Sequence, residues 1–306
     1  MKRAIIQVQL EKKKEEMKTI TVITPSYNRA HTLPLCYQSL QEQTSSDFVW
    51  VIVDDGSVDG TKELVSGWLQ EDNRFQIVYL QKENGGKASA LNLAFQHLET
   101  PYATVLDSDD TFTPHAIETA IKEITPYDDD SRCCGLMAFR HHKNGSVMGG
   151  RELKPGVKIS MLDILNEDYR TELICIYRSD ILKRYLFPQF PGEKFVSPQW
   201  LDFELSRSYY YISSNSKICI CEYEEDGLTK NKRTIIKKNP HGYTAVKRQS
   251  FEFSKSLKLS IKHGIMYDCG CIIGRDKNWL RRSPRKMLSI VLMPMAYLVY
   301  FLRFKS

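Results

Sequence analysis

The chain has 306 residues, 42% of them hydrophobic and 26% charged, which allows a sizeable core and excludes a disordered or collagen-like protein. Its formal net charge of +6 is unevenly distributed, because residues 230–306 carry 18 of the 43 Lys and Arg residues but only three acidic residues. A basic segment on an otherwise acidic chain favours an anionic partner, either membrane lipid or nucleic acid.

The predicted elements begin after an N-terminal extension, residues 1–17, which is rich in Lys and Glu. We interpret the extension as a surface helix or as the product of an upstream start codon, and assign it no function. From residue 19, short apolar runs alternate with helical patterns. Strands are predicted at 19–24, 48–53, 75–80 and 102–106, and helices at 29–44, 60–70, 88–98 and 113–124. After residue 130 the pattern weakens, with strands predicted at 171–177 and 217–221 and helices at 201–211 and 255–264.

Near-continuous apolar strands that alternate with helices predict a mostly parallel sheet with helices on both faces. In such sheets, ligands bind beyond the carboxyl ends of the strands. Polar segments follow the first four strands, at residues 25–28, 54–57, 84–87 and 107–110. We therefore expect these four segments to meet at one edge of the sheet and to form the functional site.

The last of these polar segments contains two aspartates, Asp107 and Asp109, separated by one residue. Strand-like alternation would turn both carboxylates to the same side. Carboxylate oxygens are the ligands that Mg²⁺ and Mn²⁺ prefer, usually together with phosphate oxygens. The segment therefore predicts a divalent-metal site, and a solvated turn with Asp110 as a helix cap is the alternative.

Four motifs in this order and spacing closely resemble the family-2 glycosyltransferases of the GT-A fold. They are TPSYNRAHTL (24–33), VDDGSVDGT (53–61), NGGKASALNLA (84–94) and LDSDD (106–110). The resemblance, strong over residues 19–126, implies a Rossmann-like α/β fold and an inverting enzyme that takes a sugar from a nucleoside-diphosphate sugar, most often a UDP-sugar. We predict a catalytic domain at 18–229, with a nucleotide-binding half (18–126) and an acceptor half (127–229), followed by a basic helical extension at 230–306.

The resemblance also implies roles for individual residues. Tyr27 would stack on the base, Lys87 would neutralise phosphate, and Asp107 would contact the ribose and the sugar. Asp109 would bind the metal, Mn²⁺ or Mg²⁺, directly. The complete predicted donor-binding set is Thr24, Pro25, Tyr27, Asn28, Asp54, Asp55, Ser57, Gly85, Lys87, Asp107 and Ser108. For the turn that contains Asp55 and Ser57, a purely structural role is the alternative.

The position of the general base departs from the family pattern. The stretches PGEKFV (191–196) and EYEEDGLT (222–229) resemble a bacterial surface-polysaccharide branch, whose inverting members place a carboxylate shortly after the first stretch. This chain has Gln199 there, and an amide cannot accept the proton of the acceptor hydroxyl. We expect Asp202 to be the base, with Glu193 or Glu204 as alternatives and loss of the base as a further alternative.

Histidines and cysteines offer weaker indications. His241 or His263 is an alternative downstream metal ligand, although a solvated or capping role fits each one better. The eight cysteines, without a recognisable secretory leader, predict a reducing compartment. The pairs Cys219/Cys221 and Cys269/Cys271 have a spacing that puts two thiols on one face of a strand, as in a core. A four-thiolate zinc site is the alternative, but this spacing is not typical of one.

The C-terminal segment contains a largely apolar run at 288–302, flanked by Arg and Lys residues. Fifteen helical residues span about 22 Å, less than the roughly 30 Å of a bilayer core. We therefore predict that this helix lies in the membrane interface, with the flanking cations on lipid phosphates. A buried core helix or a dimer helix is the alternative. Together these features predict a cytoplasmic enzyme, peripheral on the inner face of the bacterial plasma membrane, acting on a saccharide or lipid-linked saccharide of a cell-surface polysaccharide.

The sequence also bears on three other functions. A nucleotidyltransferase shares this type of sheet, but residues 24–28 are followed by a single arginine and no glycine, unlike its Gly-rich loop. A catalytically weak nucleotide-sugar or saccharide-binding module stays open because of the uncertain base. Nucleic-acid binding is not expected, because the basic segment has few interleaved aromatic residues and no recognised module.

Overall fold

The structure is a computed structural model that describes residues 5–8, 18–149, 152–169, 172–221 and 232–305. The chain forms two compact units, the first made of Met1–Ile159, Arg170–Leu186 and Ser208–Glu222, the second of Ser160–Tyr169, Phe187–Arg207 and Tyr223–Ser306. The second unit thus includes parts of the predicted catalytic domain as well as the basic extension. Most of the predicted N-terminal extension and the stretch at 222–229 lie outside the described residues.

The strands all belong to the first unit, and the helices are divided between the two. The strands are β1 (Ile5–Val8), β2 (Ile20–Ser26), β3 (Phe48–Asp54), β4 (Gln76–Gln81), β5 (Tyr102–Val105), β6 (Thr111–Phe112), β7 (Cys133–Phe139), β8 (Lys158–Ile159), β9 (Leu173–Arg178), β10 (Tyr210–Ser214) and β11 (Cys219–Ile220). The helices are α1 (Leu33–Gln41), α2 (Thr61–Trp68), α3 (Lys87–Gln96), α4 (Ala116–Ile124), α5 (Met161–Asn166), α6 (Ser179–Leu182), α7 (Gln199–Leu205), α8 (Lys232–Lys238), α9 (Pro240–Phe253), α10 (Leu257–Ile273), α11 (Trp279–Arg282) and α12 (Lys286–Arg303). Helices α5 and α7–α12 lie in the second unit.

The main sheet has the strand order β1-β4-β3-β2-β5-β9-β7-β10-β8. Strands β4, β3, β2 and β5 are parallel to one another, which confirms the parallel sheet predicted for this part of the chain. Strand β1 adds to one side of this group and β9 to the other, both antiparallel to their neighbours. The carboxyl ends of the four parallel strands therefore meet at one edge of the sheet.

The core of the first unit explains why these strands form. Every residue of β2 is buried, and β3 is buried at six of its seven positions, as expected of central strands covered on both faces. Against one face, the ring of Tyr37 from α1 stacks on Trp68 from α2, with centroids 4.3 Å apart. The Thr24 hydroxyl accepts a 2.9 Å hydrogen bond from the indole nitrogen of Trp50 within this core. The side chain of Thr24 therefore faces the core, away from the functional edge predicted for it.

Three features of the later chain differ from the sequence predictions. The helix predicted at 201–211 ends at Leu205, and Tyr210 and Tyr211 belong to β10. Strand β7 and helix α9 were not predicted, although β7 is buried at all seven positions. The pair Cys269/Cys271 lies in helix α10, so two-residue spacing does not place these thiols on one face. All eight cysteines are buried and none forms a disulfide.

In the second unit, α12 packs lengthwise on α10. A Cβ atom added at Gly264 in α10 would come within 2.6 Å of Cδ1 of Leu292, so the two helices approach closely at this point. Ser289, Leu292 and Ala296 form the buried stripe of α12. With 18 residues, α12 spans about 27 Å, so the predicted run was too short and length alone does not exclude a membrane span. It is the one helix among the described residues that is long and apolar enough to cross a bilayer.

Candidate functional site

The first two polar segments are hydrogen-bonded to each other at the carboxyl edge of the sheet. The amide of Asn28 donates to Oγ of Ser57 at 2.9 Å, and the amide of Val58 donates to Oδ1 of Asn28 at 2.9 Å. Asn28 adopts the left-handed backbone conformation (φ 53°), which Asn tolerates better than most residues. Tyr27 directly precedes Asn28 and has 48% of its surface exposed, so its ring is available to a ligand.

Asp55 joins the second segment to the third. Its Oδ1 accepts from Nζ of Lys82 at 2.6 Å and from the amide of Gly85 at 2.9 Å, and its Oδ2 accepts from the amide of Gly86 at 2.6 Å. The carboxylate is buried, and both of its oxygens accept hydrogen bonds. Asp55 thus has a clear structural role in shaping the loop before α3, and Lys82, its cationic partner, was missed at the sequence level.

Asp54, buried at the end of β3, is also fully engaged. Its Oδ1 accepts from the amide of Ser57 at 2.8 Å, and its Oδ2 accepts from the hydroxyl of Tyr79 at 2.6 Å. Burial and this carboxylate raise the pKa of Tyr79 above its usual range, so the phenol stays protonated as the donor. The pair fixes the start of the turn that carries Ser57.

Gly56 is the residue that lets the second and third segments touch. Its φ is +79°, and an added Cβ would lie 2.8 Å from the amide nitrogen of Asn84. We expect Gly56→Ala to lower the free energy of unfolding by about 1–3 kcal/mol, measured by urea denaturation. Gly67→Ala is the matched control, since nothing lies within 4 Å of its Cβ position in α2. That change should stabilise the protein by about 0.5–1 kcal/mol, and equal effects at the two positions would contradict this interpretation.

Lys87 and Asp107 connect the third segment to the fourth. Lys87 is the first residue of α3, and its Nζ lies 2.5 Å from Oδ1 of Asp107. Burial favours the neutral form of Asp107, but the charges of Lys87 and Arg140 outweigh it and lower the pKa of Asp107 to about 2. The four segments are thus linked by a continuous series of contacts along one edge, as the sequence predicted.

Arg140, which directly follows β7, is a site residue that sequence reasoning missed. Its guanidinium forms an ion pair with Asp110, and both terminal nitrogens lie 3.4 Å from Oδ2 of Asp107. Its Nε donates to the carbonyl of Leu173 at 3.0 Å. Burial raises the pKa of Asp110 to about 7, against the opposing charge of Arg140. No local pattern marked Arg140, because β7 itself was not predicted.

Asp109 differs from its two neighbouring aspartates. Burial alternates along this segment, with Leu106, Ser108 and Asp110 buried and Asp107 and Asp109 partly exposed, which is the predicted period of two. Within the part of the chain that the structure describes, the carboxylate of Asp109 makes no hydrogen bond or ion pair. A partly exposed carboxylate of this kind suits a hard divalent cation such as Mn²⁺ or Mg²⁺.

A second cluster near this segment does not suit such a cation. Ligand atoms of Asp110, Cys219 and Cys221 lie within 4.8 Å of one another, and all three residues are buried. The Arg140 guanidinium already pairs with Asp110 and lies 3.4 Å from Sγ of Cys221. The hydrogen bond with Cys219 and burial raise the pKa of Cys221, which keeps this thiol protonated. Arg140 is thus the cation of this cluster, and thiols are poor ligands for Mn²⁺ or Mg²⁺.

The candidate bases lie in the second unit. Glu193 accepts from the amide and Nδ1 of His241 at 2.9 and 2.6 Å, and from the amide of Gly242 at 2.8 Å. These contacts anchor the start of α9 and favour a structural role for Glu193. Glu204 accepts from Gln249 at 2.7 Å and from Arg207 at 3.1 Å. Asp202 lies in the first turn of α7 and is 7% exposed.

The two histidines named as alternative metal ligands are placed differently. His241 is bound to Glu193, and its ring stacks on Phe190. Burial lowers the pKa of His263 to about 4, so this side chain is neutral at physiological pH. Both residues belong to the second unit, whereas the predicted donor-binding residues and Asp109 all belong to the first.

The comparison with protein-family models decides the family. The model of glycosyl transferase family 2 matches residues 21–186, more than half of the chain. The chain belongs to glycosyl transferase family 2. The match includes all four motifs at the carboxyl edge and extends through β9 and α6.

Relatives identified by sequence agree with this assignment. The glycosyltransferase GlyG of Streptococcus pneumoniae serotype 4 (strain ATCC BAA-334 / TIGR4) is 32% identical over 111 residues, which are 36% of each chain. The GalNAc(5)-diNAcBac-PP-undecaprenol beta-1,3-glucosyltransferase of Campylobacter jejuni is 26% identical over 200 residues, or 63% of this chain and 62% of that protein. This chain spans between 16% and 36% of the length of the first three relatives.

The fold of this family-2 member is GT-A. The crystal structure of S. aureus TarS 1-349 in complex with UDP-GlcNAc superposes with a TM-score of 0.57 at 17% identity, covering 93% of this chain and 92% of that chain. At this identity the similarity establishes the fold alone. The central sheet flanked by helices and the C-terminal helix agree with the fold expected from the motifs.

Proposed function

We propose that this family-2 glycosyltransferase transfers a sugar, with inversion, from a UDP-sugar to a saccharide or lipid-linked saccharide in cell-surface polysaccharide synthesis. The single observation that carries the proposal is the state of the fourth polar segment. There Asp107 is held by cations, whereas Asp109 presents a partly exposed carboxylate without a partner among the described residues. This arrangement supports the proposal, because it offers Asp109 to a divalent ion and Lys87 to a phosphate.

In this proposal each residue of the edge acts on a different part of the donor. The Tyr27 ring stacks on the base, and Asp107 accepts hydrogen bonds from ribose and sugar hydroxyls. Asp109 would hold Mn²⁺ or Mg²⁺, and the ion would supply positive charge to the departing diphosphate. Lys87 moves its ammonium from Asp107 to a phosphate oxygen, and Asp202 removes the proton of the acceptor hydroxyl. That hydroxyl attacks the anomeric carbon from the face opposite the diphosphate, which inverts its configuration.

The names of two similar proteins support the classes of donor and acceptor. TarS, which shares the fold, is described in complex with UDP-GlcNAc. The C. jejuni relative is named for a saccharide carried on a PP-undecaprenol. A catalytically weak binding module is the second candidate, favoured by Gln199 at the position where a base is expected.

Thermal unfolding with UDP, GDP and dTDP, each with and without Mn²⁺, tests the donor assignment. We expect UDP with Mn²⁺ to raise the Tm most, because binding to the folded state alone stabilises it. Stabilisation by GDP in place of UDP, or by no nucleotide, would contradict the assignment. Turnover of UDP-sugars, followed as UDP release, then separates an enzyme from a binding module.

We further propose that the outer face of α12 docks this enzyme on an anionic membrane surface. The buried stripe of α12 faces α10, whereas the opposite face exposes large apolar side chains. They are Met287, Ile290, Val291, Met295, Tyr297, Leu298, Phe301 and Leu302. Exposed Arg281, Arg282 and Lys286 precede this face, and Arg303 and Lys305 follow it. An apolar face between two groups of cations matches a helix that lies in the plane of an anionic leaflet.

The double variant Val291→Glu/Leu298→Glu tests this docking. Both side chains are exposed, at 70% and 56%, so the changes should leave the fold intact. We expect binding to phosphatidylglycerol vesicles, measured by co-sedimentation, to fall at least about 10-fold, because each apolar side chain contributes roughly 1.5–3 kcal/mol on burial. Leu35→Glu, at a 59% exposed position on α1, is the matched control and should bind as the wild type does. The proposal would be contradicted if the double variant bound vesicles as well as the wild type does. It would also be contradicted if the wild type formed a dimer and did not bind vesicles.

A further inference from the structure

Arg140 is the most extensively bonded cation at the functional edge, and the reaction proposed above gives it no task. We propose that Arg140 is a positioning residue that holds Asp107 in place while Lys87 transfers from Asp107 to the diphosphate of the donor. This inference rests on the proposed function, because it concerns the same diphosphate.

The two cations are anchored very differently. The main chain of Arg140 is fixed on both sides, since its amide donates to the carbonyl of Glu172 at 3.0 Å and its carbonyl accepts from the amide of Met148 at 2.9 Å. Its Nε donates to the carbonyl of Leu173 at 3.0 Å, so the guanidinium cannot withdraw without losing this partly buried hydrogen bond. Lys87, in contrast, is held in the described structure only by Asp107, and 25% of its side chain is exposed. Lys87 is therefore the cation that can leave.

Asp107 divides its oxygens between these two cations. Oδ1 faces Lys87 at 2.5 Å, and Oδ2 faces the Arg140 terminal nitrogens at 3.4 Å. Removing the only cationic partner of a partly buried carboxylate is unfavourable, because its charge is left uncompensated. With Arg140 in place, Asp107 keeps one cation when Lys87 turns to phosphate. Without Arg140, Lys87 is the only cation beside Asp107, and a phosphate would have to compete with this carboxylate for it.

This argument predicts a selective effect. Loss of Arg140 should weaken ligands that draw Lys87 away from Asp107, namely those with a diphosphate. A nucleoside leaves Lys87 on Asp107, so this carboxylate keeps a cation while it contacts the ribose, and nucleoside binding should change little. A purely structural role, in which Arg140 does no more than neutralise Asp110, would weaken both kinds of ligand alike. The effect should also depend on Lys87, because the two cations act through the same carboxylate.

Calorimetric titration with uridine and with UDP, both in Mn²⁺, tests the inference on the full chain. The proteins are the wild type, Arg140→Met, Arg140→Lys, Lys87→Met and the double variant Lys87→Met/Arg140→Met. We expect Arg140→Met to weaken UDP about 10-fold or more and uridine less than about 2-fold. In the Lys87→Met background, Arg140→Met should change UDP affinity by less than about 2-fold.

The contradicting outcomes are distinct from a failure of the proposed function. A wild type that binds neither ligand would refute the donor assignment itself. If the wild type binds both ligands, two results would refute only the role of Arg140. One is that Arg140→Met weakens uridine and UDP by the same factor, and the other is that its effect on UDP is additive with that of Lys87→Met. If Arg140→Met does not fold, Arg140→Lys decides: it keeps a charge but loses the Nε contact with Leu173. It should then weaken UDP and spare uridine, and equal weakening of both would again refute the role.

Discussion

Asp109→Asn is expected to abolish the Mn²⁺-dependent stabilisation by UDP and to lower the rate of sugar transfer by about 10³-fold. The change removes one negative charge while keeping the size of the side chain. Because Asp109 has no partner among the described residues, the substitution breaks no internal ion pair, and the free protein should keep its Tm. Transfer rates and thermal unfolding, each with Mn²⁺ and with EDTA, measure both effects.

The control for this experiment is Asp72→Asn, at an exposed position in the turn before β4. It removes the same charge from the same unit and should leave transfer and UDP binding unchanged. EDTA should make the wild type behave like Asp109→Asn. UDP binding that is equally strong in Asp109→Asn and does not need metal would rule out Asp109 as the metal ligand.

Asp202→Asn is expected to lower kcat by about 10²–10⁴-fold while leaving UDP affinity within about 2-fold. The amide keeps the shape of the side chain but cannot accept the proton of the acceptor. Since Asp202 and the donor-binding residues belong to different units, the change should not disturb the loops that hold the nucleotide. Measuring kcat for transfer together with the Kd for UDP separates the two effects.

Glu193→Gln is the comparison for this second prediction. Both oxygens of Glu193 are used to anchor the start of α9, so its loss should lower the free energy of unfolding by about 1–2 kcal/mol and leave kcat within about 3-fold. A loss of turnover in Glu193→Gln with full turnover in Asp202→Asn would reverse the assignment. Full turnover in both variants would point to Glu204, and no turnover in the wild type to a binding module.

The functional edge could be predicted because its parts are local in sequence. Each polar segment directly follows an apolar strand, and parallel strands bring their carboxyl ends together. The partial exposure of Asp107 and Asp109 arises in a turn beyond β5, where strand geometry does not impose a period of two. The motifs then supplied the family, which the family comparison confirmed.

The partners that hold this edge could not be predicted, because they depend on strands distant in sequence. Arg140 reaches Asp107 only because β7 pairs with β9, which in turn pairs with β5. Thr24 is predicted to bind the donor, but β2 continues through this residue. Its hydroxyl accepts the hydrogen bond of the Trp50 indole inside the core. Tyr210 and Tyr211 followed a helical pattern and instead extend the sheet, where pairing with β7 overrides local propensity.

The burial of all eight cysteines has a consequence for how the protein meets oxidants. Only a thiolate reacts readily, and burial raises the pKa of Cys36 and Cys269, in the first and second unit respectively. No covalent crosslink supports the fold, so its integrity does not depend on the redox potential of its surroundings. Peroxides or disulfide reagents can reach these sulfurs only when a unit opens, and the rate of oxidative damage is therefore limited by the frequency of such openings.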